Sequence, residues 1–318
     1  MRTPRLRQGG TGCTMAAMAK QPTSRPTRRP PALRRCWLVL PGAERAALLA
    51  APATGADVLM QELEDFTPPE RRPEARALAA EIYAAWRQAG ALVAVRVNPL
   101  ETVGREDLAA VMRGRPDIVL MSKVAEPAQV AALAEAVQSL EYELGIPAGE
   151  TELVPNIESA RGVVQALAIA TASRRVTGVM GSTEDLAADL GAPRSRDGRE
   201  LAYARQRLHL DCVAAGVLSV DCPYTFADAE GCAADARYAR SLGYVAKSAV
   251  HPSHVALVNA VMTPSAQEVT QARAVIAAFE AARKRGEDRV EVAGLMVEMP
   301  TYLSAQRLLA RAAALGVA

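Results

Sequence analysis

Aromatic side chains are scarce in this sequence: two Trp, seven Tyr and three Phe in 318 residues, or 4% of the chain. Half of the residues are nonetheless hydrophobic, so a large core is available, and it must be built from Ala, Val and Leu. Cysteine is also sparse. The five present (Cys13, Cys36, Cys212, Cys222 and Cys232) are odd in number and form no C-x-x-C pair. Neither a disulfide framework nor a zinc ribbon is therefore indicated, and reduced, mostly structural thiols are expected. No apolar run approaches the ~20 residues of a membrane span, and the N-terminus has no apolar segment of the secretory type. These absences lead to the expectation of a soluble, cytosolic protein. Histidine is limited to His209, His251 and His254. Pro252 lies between the last two and breaks the helical spacing that a zinc-binding pair on one face needs. No P-loop and no G-x-G-x-x-G precedes a helix, which argues against nucleotide hydrolysis and NAD chemistry.

Charge is nearly balanced, with 37 Lys and Arg against 35 Asp and Glu, but its distribution is uneven. Residues 1–36 hold nine of the basic residues and no acid. The run Pro22-Thr23-Ser24-Arg25-Pro26-Thr27-Arg28-Arg29-Pro30-Pro31 suits neither a helix nor a packed core. Residues 1–35 are accordingly expected to form a disordered basic tail. It reads either as dispensable or as an over-long start, with Met15 and Met18 as alternative initiators. A nucleic-acid arm is the weaker reading, because no aromatic is interleaved with the arginines for base stacking.

From Cys36 onward short β-branched or apolar runs alternate with Ala-rich segments of helical spacing. Candidate strands cover 37–40, 58–63, 92–97, 118–121, 153–157, 176–180, 217–220 and 244–246. Candidate helices include 73–88, 127–144, 160–172, 201–215 and 229–242. Eight alternating units predict a parallel (β/α)₈ barrel over 36–262, in preference to a doubly wound sheet with similar local signals. Residues 263–318 then form a C-terminal extension: a helix over about 265–285, a turn or short ribbon from Gly286 to Gly294, and a last helix to about Ala314.

In a barrel the C-terminal strand ends share one face, where barrel enzymes keep their chemistry. The residues predicted there are Glu64 and Asp65, Arg96, Lys123, Glu158, Glu184 and Asp185, Asp221, and Lys247 with His251. Acids at the end of a buried strand are costly unless a positive charge meets them, and carboxylate oxygens suit a hard cation such as Mg²⁺. Glu158 and Asp185 are thus the candidate metal ligands. The alternative is that each caps, or opens, the helix that follows.

Several of these residues stand in motifs that resemble the citrate lyase β-subunit-like branch of the HpcH/HpaI aldolase family. They are, in order, Arg34 to Gly42, Leu63-Glu64-Asp65 with Ala75-Arg76, Val95-Arg96-Val97-Asn98-Pro99-Leu100, Ile157-Glu158-Ser159-Ala160-Arg161-Gly162, Glu184-Asp185-Leu186 through Gly191, Lys247-Ser248-Ala249-Val250-His251-Pro252 and Gly294 to Pro300. Each is weak alone; their order and spacing carry the resemblance, which spans about 34–310.

The resemblance implies a Mg²⁺-dependent carbon–carbon lyase assembled as a homotrimer or a multiple of it. Glu158 and Asp185 would hold the metal, with Glu64 and Asp65 binding its waters and Arg96 beside the reacting carbonyl. Lys123, Ser182, Thr183, Glu184, Lys247 and His251 are the further candidates for substrate contact. The implied substrate is a 3-hydroxyacyl-CoA thioester such as malyl-, citramalyl- or citryl-CoA, CoA entering as part of the substrate. Glu298 would be a catalytic carboxylate brought over a neighbouring subunit's active site, where the usual residue is Asp. Glu62, the Ser182-Thr183 pair and Ala246 depart from the family pattern of Asp, Gly-Ala and Gly, which puts the thioester specificity in question. A CoA-independent aldolase acting on a hydroxy-keto acid, and a non-catalytic or carrier-dependent subunit of a lyase complex, are the alternatives.

Overall fold

Parallel strands of four to six residues, most of them apolar and all nearly or fully buried, pair in sequence order until the eighth meets the first and no edge is left open. The computed structural model describes residues 28–317. Its barrel strands are β1 (Cys36–Pro41), β2 (Val58–Glu62), β3 (Leu92–Val97), β4 (Ile118–Met121), β5 (Glu152–Ile157), β6 (Gly178–Gly181), β7 (Leu218–Asp221) and β8 (Ala246–Ala249). Alternate residues serve two cores. Inward-facing Trp37, Val39, Met60, Ala94, Leu120, Val154 and Met180 fill the barrel, while Leu38, Leu59, Val95 and Val119 pack outward under the helices.

Helices Ala266–Lys284 and Met299–Ala314 pack against each other, with the Phe279 and Tyr302 rings 5.0 Å apart, and the antiparallel ribbon β9 (Val290–Val292) and β10 (Leu295–Val297) joins them. Ser265 and Glu268 form a capping box at the start of the first helix. No helix among the described residues is long and apolar enough to cross a membrane.

Three expectations need correction. Residues 28–35 are not a loose tail, because their arginines meet acids at the N-terminal end of the barrel. Arg34, only 2% exposed, makes a two-pronged contact with Glu152 at 2.6 and 2.8 Å, and Arg35 binds Asp57 at 2.8 Å. Arg28 pairs with Asp117 at 3.1 Å. Residues 1–27 lie outside the described part. The segment expected as one helix over 160–172 is split into Ala160–Val164 and Ala166–Thr171. Lastly, β8 begins at Ala246 rather than ending there. Lys247 is therefore a strand residue paired in register with Cys36 and Asp221, and does not follow the strand.

Candidate active site

Glu62 ends β2 with its side chain fully buried. Its carboxylate accepts the backbone N–H groups of Glu64 and Phe66, the latter at 2.8 Å, and two bonds from Arg96, at 3.0 Å from Nη2 and 3.3 Å from Nε. One side chain thus shapes the turn after β2 and aims the guanidinium of β3. Burial raises the pKa of Glu62, with Arg96 opposing. Arg96 also reaches toward two more acids, Nη2 lying 3.6 Å from Glu64 Oε2 and Nη1 3.6 Å from Glu158 Oε1.

Asn98 and Arg76 belong to the supporting structure. Asn98 Nδ2 donates to Leu63 O at 2.7 Å and to Asp107 at 2.8 Å, and Asp107 is held by Arg76 at 2.8 Å. Gly104 follows because a Cβ there would meet Asn98 O at 2.1 Å.

After β4 the chain turns through Lys123 at φ 55°, a left-handed conformation that costs a non-glycine residue roughly 1–2 kcal/mol. The turn brings its ammonium onto Glu64 and within 3.4 Å of Asp65. Burial works against the charged ammonium, but these two acids hold its pKa above the ordinary lysine value.

Glu158 follows β5 directly. It is 3% exposed, and among the described residues neither of its carboxylate oxygens has a hydrogen-bond partner. Burial, reinforced by Asp185 and Glu64 and opposed by Arg96, pushes its pKa up to about 8. The capping alternative does not account for it. The next helix is capped by Ser159, which accepts from Gly162 N at 3.1 Å, and Asp189 accepts from Ala160 N at 2.7 Å. Asp185, by contrast, does sit in the first turn of helix Glu184–Asp189, with Ser182 Oγ donating to it at 3.3 Å.

A cavity of about 270 Å³ opens at this end of the barrel, and Asp65, Arg96, Ser182, Thr183, Glu184 and Asp185 line it. Glu158 and Glu64 lie buried beside Arg96. Glu184 binds Arg194 at 3.1 Å and Thr225 Oγ1 at 2.6 Å, tying the mouth to the loop after β7. His251 supports that loop, its Nε2 3.1 Å from Thr225 O, and His254 lies 3.2 Å from Ala227 O.

Lys247 is not brought to the cavity. It is fully buried on the outer side of β8, 2.7 Å from Asp221 and bonded to Asp235 and Cys222 O, with Arg205 binding the same two aspartates. Burial disfavours its charge, and the aspartates more than restore it, raising the pKa. Its expected substrate contact is therefore corrected to an ion cluster, and Asp221 goes with it. Glu298 does not reach its own barrel mouth either. It lines a separate cavity of about 820 Å³ with Phe279, Arg283 and Arg289, which shares no residue with the mouth cavity.

Sequence reasoning missed Phe66, 41% exposed on the cavity wall with Arg96 5.8 Å from its ring centre, and Asn156, which is buried in the cavity lining. Asn156 was detectable, as a polar residue two positions before Glu158 on the same face of an otherwise apolar strand.

The sequence matches the family model of HpcH/HpaI aldolase/citrate lyase over residues 35–252 and that of the C-C bond lyase of the TIM-barrel fold over 227–317. The citrate lyase subunit beta of Leuconostoc mesenteroides subsp. cremoris is 34% identical over 279 residues, covering 87% of this chain and 92% of the relative. A (3S)-malyl-CoA thioesterase of Cereibacter sphaeroides is 32% identical over 283 residues, covering 88% and 95%. The CitE protein of Mycobacterium tuberculosis, solved with magnesium, acetoacetate and coenzyme A, superposes with a TM-score of 0.71 at 28% identity, over 89% of this chain and 99% of that one. A citrate lyase of Burkholderia xenovorans, at 19% identity, shares the fold with a TM-score of 0.78 over 92% and 97% of the two chains. This chain thus belongs to the HpcH/HpaI aldolase/citrate lyase family and is a carbon–carbon lyase on a TIM barrel.

Proposed function

We propose that the protein is a Mg²⁺-dependent lyase that cleaves a 3-hydroxyacyl-CoA thioester to an acyl-CoA and a 2-keto acid, or joins them in reverse. The observation that carries this reading is Glu158, a buried carboxylate whose two oxygens accept no hydrogen bond among the described residues and whose nearest cation, Arg96, stands off at 3.6 Å. Such a group is stable as an anion only beside a cation. Among the described residues no group of three or more His, Cys, Asp or Glu forms a metal cage. Two carboxylates fit Mg²⁺ better than a full cage, since this ion keeps several waters and takes oxygens from its substrate. Glu158 and Asp185 would hold the ion, with Glu64 and Asp65 as acceptors for its waters. When bound, it would act as a Lewis acid toward the hydroxy-acid oxygens and lower the pKa of the hydroxyl.

The remaining chemistry falls to the chain. Cleavage passes the hydroxyl proton to a base, the role we give to the Asp65 carboxylate on the cavity wall, makes that oxygen the keto oxygen of the product, and leaves the bonding electrons on the thioester fragment as an enolate. Arg96, permanently charged, held by Glu62 and lining the cavity, would donate to a developing oxyanion or a carboxylate. Protonation of the enolate carbon needs an acid. We assign that role to Glu298 of a neighbouring subunit in a trimer, because Glu298 lies on a separate cavity of its own chain. Cys36, Cys212, Cys222 and Cys232 are all free thiols, which supports a reducing, cytoplasmic setting.

The second reading is a CoA-independent aldolase, favoured by a 270 Å³ cavity roomy enough for a whole hydroxy-keto acid. A panel of hydroxyacyl-CoA thioesters and hydroxy-keto acids, incubated with Mg²⁺ and read by mass spectrometry, separates the two. Release of a 2-keto acid from a thioester supports the first reading and release only from free acids the second. A panel left intact overturns both, as for a subunit that needs a carrier-bound substrate.

A further inference from the structure

Asn156 faces into the barrel from β5, in register with Met180 of β6. Its immediate surroundings on that side are apolar: Val154 precedes it on the same strand face, and Val39 and Met180 share the cavity wall with it. The residue is 1% exposed, and among the described residues its Nδ2 has no hydrogen-bond partner. Its backbone is already used, the carbonyl accepting from Val124 N at 3.0 Å.

A buried amide donor left without an acceptor is destabilising, and an apolar side chain of similar shape would fill the same space without that penalty. An amide in this layer is therefore unfavourable for the empty barrel. The nearest anionic groups do not relieve it. Glu158 is two residues along the same face, and neither of its oxygens accepts a bond from the amide. Arg96, which lines the same cavity, offers donors as well, and Ser248 Oγ on that wall is already used, donating to Asp221 O at 2.9 Å. The cavity thus presents Asn156 Nδ2–H and Arg96 to one volume and calls for a ligand rich in acceptor oxygens.

We infer that Asn156 is a specificity-determining residue whose Nδ2–H donates to an oxygen of the bound 2-keto acid, so that the site selects acids with an acceptor at that point over apolar analogues of the same shape. The inference rests on the lyase reading above for the identity of the ligand. Direct discrimination of this type is strong, because a site that buries a donor rejects a ligand without the matching acceptor.

The test uses the full-length protein with Mg²⁺ and three probes: glyoxylate, pyruvate and oxaloacetate. Affinities are measured by calorimetry for wild type, Asn156→Leu, which keeps the branched shape and removes the donor, and Asn156→Ser, which keeps a shorter donor. Thermal melts accompany each variant. Asn156→Leu is expected to lose roughly 10- to 100-fold in affinity for the probes wild type binds, with Mg²⁺ affinity within about twofold and a melting temperature equal to or above wild type. Asn156→Ser should fall between the two. If Asn156→Leu binds the same keto acids within about twofold of wild type, or if it loses Mg²⁺ in the same proportion, the assignment is overturned. Should Asn156→Leu fail to fold, Asn156→Ser decides: undiminished keto-acid affinity there overturns it equally. Wild-type protein that binds none of the three probes would instead overturn the lyase reading itself.

Discussion

Arg96 approaches Glu158 to 3.6 Å, yet gives its hydrogen bonds to Glu62. The guanidinium is close enough to lower the energy of a Glu158 anion but does not saturate its oxygens. That leaves a buried carboxylate next to one positive charge with room for a second. Burial and Asp185 still win, since the pKa of Glu158 remains raised.

Glu62 is the positioning residue in this arrangement. Glu62→Asp shortens the arm that reaches from the turn after β2 to Arg96, so it should leave Mg²⁺ affinity intact and cost about 10²-fold in kcat through misplacement of the guanidinium. A variant with unchanged kcat would show that Arg96 holds its place without this contact.

Lys247 separates the site from its surroundings. Lys247→Met leaves Arg205 alone against Asp221 and Asp235 and should destabilise the fold by about 3–5 kcal/mol, the cost of removing one partner from a buried ion group. Chemical denaturation measures the loss, and steady-state kinetics on the folded fraction should return an unchanged KM. A raised KM with unchanged stability would restore Lys247 to the substrate.

The barrel was legible because apolar runs of strand length recur with helical segments between them, and each strand bar β8 was placed to within about two residues. The exception is instructive: Tyr244 and Val245 look like strand, whereas Lys247 and Ser248 look like its end. The polar pair is tolerated only because Asp221 meets the ammonium and Asp221 O accepts from Ser248 Oγ at 2.9 Å, partners that no local pattern reveals. The same holds for residues 28–35, whose composition reads as disordered and whose arginines are ordered by Asp57, Asp117 and Glu152, distant in sequence. Glu158 and Asp185 could be picked out by position. That Glu158 would accept no hydrogen bond, and that Asp185 would be a first-turn helix acid, required the packing.

The oligomer prediction turns on Glu298. Glu298→Gln should abolish turnover with Mg²⁺ affinity preserved, and Glu158→Gln should abolish turnover by losing the ion. Mixed and reassembled, the two inactive proteins should regain part of the activity, because some sites would combine an intact Glu158 with a neighbour's intact Glu298. Absence of recovery, with subunit exchange verified by mass spectrometry, would remove Glu298 from a neighbour's chemistry.

The central claim is that Glu158 is a cation ligand, and its pKa of about 8 makes the claim measurable. The metal-free fold keeps a proton on Glu158 that the unfolded chain releases in the ordinary carboxylate range. Apo stability therefore falls as pH rises from that range toward about 8. Mg²⁺ requires the carboxylate, so its affinity must move the other way, rising about tenfold per pH unit below that pKa and levelling above it. Calorimetric titration of Mg²⁺ into wild type and Glu158→Gln from pH 6 to pH 9 tests this directly. The account predicts a rising, then flat, affinity in wild type and little binding at any pH in Glu158→Gln; a pH-independent affinity, or equal binding by the two proteins, would contradict it.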